Sequence, residues 1–197
     1  MLPGVNVLFT IVCGYLVGSI PVARLLAGRD LRVVGDRNPG YWNAKEQLGR
    51  RAAVPVFAGD LAKGAIAAAV GVLVAAPGQW WVGYVGGAAS MIGHAWPLFD
   101  HFRGGRSVLA FAGTVAVVAP LSTAIAVAAL LVAWMISRSF AVAARVGIFG
   151  FPIVQLFIEG PYRTAATGGL MCIVGLRFLT AWSTARSTET AAATSAG

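Results

Sequence analysis

Long apolar runs alternate with short polar breaks along the whole chain. The runs fall at about 5–27, 53–76, 80–99, 108–120, 121–137, 143–158 and 164–182. A helix needs roughly 20 apolar residues to cross a bilayer core. The pattern therefore predicts an all-α integral membrane protein, a bundle of about seven transmembrane helices. The fourth run is short, and could be extended by Arg106 and Ser107 or be re-entrant. Pro120 separates it from the fifth run. If the two were one long kinked helix, six spans would remain. The helices are expected to form a single domain over 1–182. The tail STARSTETAAATSAG, 183–197, is low in bulky residues and is expected to be disordered.

Composition and charge sharpen this reading. Of 197 residues, 58% are hydrophobic and only 11% are charged, against about 25% charged in a soluble domain. The net charge of +8 would suggest nucleic acid in a soluble protein. Here the basic residues read as topology signals and contacts to anionic headgroups, and no nucleic-acid partner is expected. Arg29, Arg32, Arg37, Lys45, Arg50 and Arg51 crowd the connection at 28–52, Arg103 and Arg106 the one at 100–107, Arg138 and Arg145 that at 138–145. The intervening connections at 77–79 and near Pro120 hold none. Seven spans with the N-terminus outside and the C-terminus in the cytoplasm of a bacterial inner membrane fit that alternation. MLPGVN carries no basic region, so the first run is expected to be a retained span. Cys13 and Cys172 lie in apolar runs and read as small hydrophobes. Gly14/Gly18 and Gly83/Gly87 have the spacing that lets helix backbones approach closely in lipid.

Four polar features interrupt the apolar background. The loop GRDLRVVGDRNPGYWNAKEQLGRR (28–51) is long for a compact bundle, and Asn38-Pro39-Gly40 within it reads as a turn. Asp60 and Lys63, three residues apart, share one face of the second span. Charges within a span mark a site by default, although near a helix end both could snorkel, and an ion pair that clips helices together would also explain them. His94 stands alone in an apolar run and is expected to make a helix–helix hydrogen bond. No grouping has zinc spacing, so no metal or cofactor is expected. Finally, HFRGGRS (101–107) precedes an apolar helix. Gly104 and Gly105 could let backbone N–H groups converge on an anion at a helix N-terminus, with Arg103 and Arg106 adding forked donors suited to phosphate. A transporter reading lacks the paired broken helices such folds use.

Taken together, GYLVGSIPVARLLAGRDLRVVGDRNPGYWNA (14–44), GDLAKG (59–64) and GHAWPLFDHFRGGRSVLA (93–110) resemble, in order and spacing, the motifs of the acyl-phosphate:glycerol-3-phosphate acyltransferases, the PlsY family. The resemblance implies a PlsY-like seven-span fold with a site on the cytoplasmic side. It implies transfer of an acyl group from acyl phosphate to glycerol 3-phosphate in phospholipid biosynthesis, without a metal. The membrane lipids, acyl phosphate and glycerol 3-phosphate are then the expected partners. An inactive relative that binds a lipid or a protein is the alternative. Carried over residue by residue, it points to Ser19, Asn38, Gly40, Asn43, His94, Gly104, Gly105 and, at a family lysine, Arg106 as substrate or phosphate contacts, with Asp60 and Lys63 as an intramembrane charged pair. Lys45, adjacent to the position of a family arginine, and Arg103, from the reading of the glycine turn, complete the candidate contacts. No residue is expected to be a nucleophile, because the acceptor hydroxyl attacks.

The chain departs from the pattern at several places. Asp36 stands for the family's loop serine, Arg37 for the next glycine, and Tyr41-Trp42 for Ala-Thr. Glu46 aligns with an arginine, Arg106 with a lysine and Ser107 with a glycine. Phe178 and Ala181 replace a His and an Asn in the last motif, which begins at Arg177. A carboxylate at 36 should repel phosphate unless Arg37 neutralises it. The expectation is a retained fold with an altered acceptor site.

Overall fold

The computed structural model describes the backbone of residues 3–27 and 30–195 and the side chains of 4–26 and 30–181. Nine helices account for most of these residues: α1 (Pro3–Gly18), α2 (Val22–Ala27), α3 (Tyr41–Leu48), α4 (Arg50–Val74), α5 (Val82–Ala95), α6 (Val108–Val118), α7 (Pro120–Ser137), α8 (Phe140–Glu159) and α9 (Pro161–Ser195). Short 3-10 turns cover Leu31–Val33 and Leu98–Asp100, and no strand occurs among the described residues. The disorder expected of 183–197 concerns side chains outside the described residues.

All seven apolar runs are helical. Five stretches have the length and apolarity to cross a membrane: Gly4–Leu26, Arg50–Val74, Pro120–Ser137, Phe140–Glu159 and Pro161–Ala181. The other two are short. α5 has 14 residues and α6 has 11, about 21 and 16 Å at the α-helical rise, less than a hydrocarbon core of about 30 Å. Pro97 stops α5 well before the expected end at 99, because the residue before a proline is pushed out of the α region. Proline also separates α6 from α7. Ala119 leaves the helical region (φ −143°, ψ 58°) and Pro120 opens the next helix. The first run is likewise two helices, since Pro21 breaks it between Gly18 and Val22.

Close packing in this bundle depends on missing side chains. α4 packs against α6 and α5, α1 against α5, and α7 against α8. A Cβ on Gly64 would overlap the Ala110 carbonyl of α6, and one on Gly113 would overlap the Leu61 carbonyl of α4. Gly14 and Gly18 lie against Gly86 and Ser90 of α5, as their spacing suggests, while Gly83 and Gly87 meet Val72 and Thr114. In lipid the apolar effect does not drive helices together, so this backbone approach supplies dispersion contact instead.

Polarity is arranged inside out. Leu73, Ile136, Phe149 and Phe157 are largely exposed, whereas Asn6, Thr10, Thr114, Ser122, Gln155 and Thr167 are buried. The buried groups tie helices together. Asn6 Nδ2 donates to Val74 O and Gln79 Oε1, both at 3.0 Å. Gln155 Nε2 donates to Tyr84 Oη at 3.1 Å, and Ser122 Oγ to Glu159 Oε1 at 2.9 Å. The 28–51 loop has its own small core of Ala23, Leu31, Ala44, Ala53 and Val56. Tyr41 and Trp42 extend it outwards, with edge contacts to Phe57 (5.4 Å) and Phe140 (5.5 Å).

Substituting Gly64→Val should force α6 away from α4 and destabilise the protein by about 1–3 kcal/mol, read as a lower Tm in detergent. Gly150→Ala, where an added Cβ meets nothing within 4 Å, should leave the Tm in place.

Candidate active site

The break at Pro21 does more than end a helix. It leaves the Ile20 carbonyl without a helical partner four residues on, and Lys63 Nζ of α4 donates to it at 2.9 Å. The same ammonium lies 3.0 Å from Asp60 Oδ1 and 3.2 Å from His94 Nδ1. Asp60 Oδ1 is 3.5 Å from that ring nitrogen. Lys63 has three N–H donors and three polar neighbours. His94 Nδ1 meets both the ammonium and Asp60 Oδ1. Its Nε2 faces Gly105, whose added Cβ would strike it. The Asp60–Lys63 pair does not snorkel: Asp60 is 2% exposed and Lys63 4%. With the ammonium set among Asp60 Oδ1, the Ile20 carbonyl and the His94 ring, the pair can stay charged at that depth.

This cluster forms the floor of a narrow cleft at the end of the bundle where α1 and α5 stop and α4 and α6 begin. Ile20, Pro39, Asp60, Lys63, His94 and Gly104 are among its lining residues, and its volume is about 20 Å³. The loop thus lies over the cleft through Pro39, and the 101–107 segment forms the opposite wall.

The glycine pair in that wall acts differently from the sequence expectation. The Gly104 N–H donates to Ala95 O and the Gly105 N–H to His94 O, both at 3.1 Å. Neither amide is free to converge on an anion. What these positions require is closeness, since a Cβ on Gly104 would overlap His94 O. The outward groups are the carbonyls, and Arg177 of α9 takes both: Nε donates to Gly105 O at 3.1 Å and Nη2 to Gly104 O at 3.0 Å. Arg177 stacks over Trp96 at 5.0 Å, and Arg106 over Phe178 at 4.9 Å. Two guanidinium groups therefore flank the turn.

Asp36 is neutralised by a different arginine from the one expected. Arg106 Nη1 donates to Asp36 Oδ2 at 3.0 Å across 70 residues of sequence. Arg37 takes a left-handed backbone (φ 57°) at the place where the family pattern has glycine. The ion pair fastens the 28–51 loop to the 101–107 segment.

The remaining sequence candidates serve the loop or lie at the surface. Ser19 is fully buried and its hydroxyl donates back to Tyr15 O at 2.8 Å. Asn43 is also buried and donates to Leu31 O and Val34 O, so it shapes the loop from within. Gly40 caps α3 in an extended conformation. Asn38 lies in the turn held by Asp36, whose Oδ1 accepts from Asn38 N–H at 3.0 Å. Lys45 sits over the Trp42 ring at 4.4 Å, and Arg103 is exposed. The structure brings Asp60, Lys63, His94, Gly104 and Gly105 together around the cleft, turns Arg106 to Asp36 and Phe178, and sets Ser19, Asn43, Lys45 and Arg103 apart from the cleft.

Sequence reasoning missed a second buried knot. Asp100 is 3% exposed; its Oδ1 accepts from Arg24 Nη1 of α2 at 2.5 Å, and Arg32 Nη1 lies 3.1 Å from the same oxygen while donating to the Asp100 carbonyl at 3.3 Å. Arg32 also grips Asp30 with two bonds, Nε to Oδ1 at 2.8 Å and Nη2 to Oδ2 at 2.7 Å. The Arg32 guanidinium holds the Asp30 carboxyl down at about 2. That contribution is complete above the ordinary value of 3.8 and is lost as the pH falls through about 2. The available signal was a lone acid at 100 facing a loop rich in arginine. Arg177 was missed as a site residue too, although it opens the last motif.

Buried charge beneath one cleft, with two guanidinium groups on the glycine turn beside it, makes a polar site inside an integral membrane helical bundle. The chain belongs to the glycerol-3-phosphate acyltransferase family, whose model matches residues 8–190. It is 32% identical over 180 residues to glycerol-3-phosphate acyltransferase 1 of Dehalococcoides mccartyi, covering 86% of each chain. It is 34% identical to the glycerol-3-phosphate acyltransferase of Bacillus velezensis, covering 77% of this chain and 79% of that one. The fold is similar to the crystal structure of PlsY (YgiH), an integral membrane glycerol 3-phosphate acyltransferase, in its glycerol 3-phosphate form. There the TM-score is 0.75 at 28% identity, over 92% of both chains. The lysophosphatidic acid form of that protein gives a TM-score of 0.72 at 27% identity. The protein is a multi-pass membrane enzyme of this family.

Lys63→Met should strand the Asp60 carboxylate and destabilise the fold by about 3–5 kcal/mol. The double variant Asp60→Asn/Lys63→Met should lose less than the two single losses added together. Thermal unfolding of all three in the same detergent measures it.

Proposed function

We propose that this enzyme moves a fatty acyl group from acyl phosphate to the first hydroxyl of glycerol 3-phosphate and releases inorganic phosphate. The acceptor hydroxyl attacks the acyl carbonyl, the bond from carbonyl carbon to phosphate oxygen breaks, and the hydroxyl proton leaves with the phosphate. Acyl phosphate is already activated, so no side-chain nucleophile and no cofactor take part. Catalysis is positioning plus charge neutralisation. Arg106, next in the chain after the Gly104–Gly105 wall of the cleft, is the phosphate contact, with a fork of donors suited to phosphate oxygens. Arg177 is a positioning residue that fixes the Gly104–Gly105 turn. The Lys63 cluster keeps the floor polar and rigid.

The observation that carries this reading is the meeting of Arg106 and Arg177 on one glycine turn, directly against the loop that bears Asp36 and Asn38. A site for two phosphate-bearing substrates needs cations beside it, and these come from segments far apart in sequence. We place the site on the cytoplasmic face of a bacterial cell membrane, with the N-terminus outside. The support for this is the concentration of arginine and lysine in alternate connections.

Purified full-length protein given acyl phosphate and glycerol 3-phosphate should release inorganic phosphate and form lysophosphatidic acid. Arg106→Gln should lower kcat/KM at least tenfold, about 1.4 kcal/mol of transition-state binding. Phosphate release at background level from the parent protein would refute the reading.

A further inference from the structure

We propose that Asp36 is an internal competitor for Arg106, an anion built into the acceptor site that sets how tightly a phosphate-bearing acceptor binds. The inference rests on the reading of Arg106 as the phosphate contact.

Three observations carry it. First, the Asp36–Arg106 pair joins two partly exposed side chains, 38% and 29%. Pairs of that exposure are weak and open readily, so a bound phosphate can take the guanidinium from the carboxylate. Second, Asp36 has a tether besides Arg106. Its other oxygen accepts the Asn38 N–H within its own turn, which favours a place for the carboxylate near Arg106 when the pair opens. A dianionic phosphate on Arg106 then lies near a negative charge, and the like-charge contact weakens binding. Third, the arginine has unspent capacity. Its Nε is buried and has no partner, while Phe178 covers one face of the guanidinium. Arg177 is committed elsewhere, with each of its three nitrogens donating once, to the Gly105 carbonyl, Thr180 and the Gly104 carbonyl.

The rival account is that Asp36 merely staples the loop. The two accounts differ in sign. Removing a competitor tightens acceptor binding, whereas removing a staple loosens it. Asp36→Asn keeps the shape and the turn but drops the charge. Asp36→Ser also retains an oxygen able to accept the Asn38 N–H.

The test uses full-length protein in detergent with saturating acyl phosphate. KM for glycerol 3-phosphate should fall about tenfold in both variants, with kcat little changed, and Kd for glycerol 3-phosphate by calorimetry should fall in parallel. In an Arg106→Gln background the same substitutions should bring a smaller gain, since only the direct repulsion is then removed. An unchanged or raised KM and Kd in a variant that keeps the parent Tm would overturn the proposal, as would a gain of full size without Arg106. If the parent chain binds glycerol 3-phosphate but does not turn it over, the acyltransfer reading fails, and the Kd comparison alone decides the role of Asp36.

Discussion

The Lys63 ammonium is the constraint around which the rest of the site is organised. A charge at that depth in a membrane bundle survives only among polar groups that answer it. Its three neighbours come from three places: Asp60 on the same helix, the Ile20 carbonyl at the broken end of α1, and the His94 ring at the end of α5. No two of them would be near each other without helix packing. The ammonium thus converts the relative positions of α1, α4 and α5 into a requirement, since a shift that lost one neighbour would leave the buried charge less fully answered. The glycine-lined contacts between these helices and the polar knot hold each other in place. Close approach brings these groups within reach, and the knot penalises any slippage.

From that floor the site is built outwards in shells of decreasing burial. His94 is joined to Lys63 on one side and faces Gly105 on the other. The Gly104–Gly105 turn is anchored by its amides to the last carbonyls of α5 and by its carbonyls to Arg177. Arg106 comes next in the chain and reaches the 28–51 loop through Asp36. Asp100 does the same on the other side of the turn, holding Arg24 and Arg32. The long loop is therefore ordered from two sides, and its own small core fixes its interior.

Much of the fold was legible in the apolar runs, because in lipid a span must be both long and helical. The breaks were less legible. Pro21 and Pro97 were visible as residues, but whether a proline kinks a helix or ends it depends on what receives the freed carbonyl. At Ile20 that receiver is Lys63, 43 residues away. The same limit applies to the site. Asp60 and Lys63 announce themselves by spacing on one helix, and His94 by its solitude. Asp100 pairs with residues 68 and 76 positions distant, and nothing local marks such a pairing. The glycines were recognised as a functional turn, but their chemistry was assigned to the wrong groups. Sequence shows that a backbone can be approached closely, not which of its polar atoms remains free.

The departures from the family pattern can be weighed by the same logic. Replacing a neutral loop residue with Asp36 would leave an unpaired charge if nothing else changed. The structure compensates with an arginine at 106, whose forked head spans to the carboxylate where a lysine offers a single point charge. A bulky flat cation then needs a surface to lie on, and Phe178 provides it where the family has a histidine. Tyr41 and Trp42 likewise stack outwards on Phe57 and Phe140 and do not point into the cleft. The three changes at 36, 106 and 178 form one physical unit: an acid, the base that neutralises it and the ring that supports the base. Such a set is hard to assemble by loss of function, since a decaying site has no reason to pair a new charge with a fitted partner. A site that keeps its hold on phosphate, and alters only the terms on which phosphate enters, has that reason.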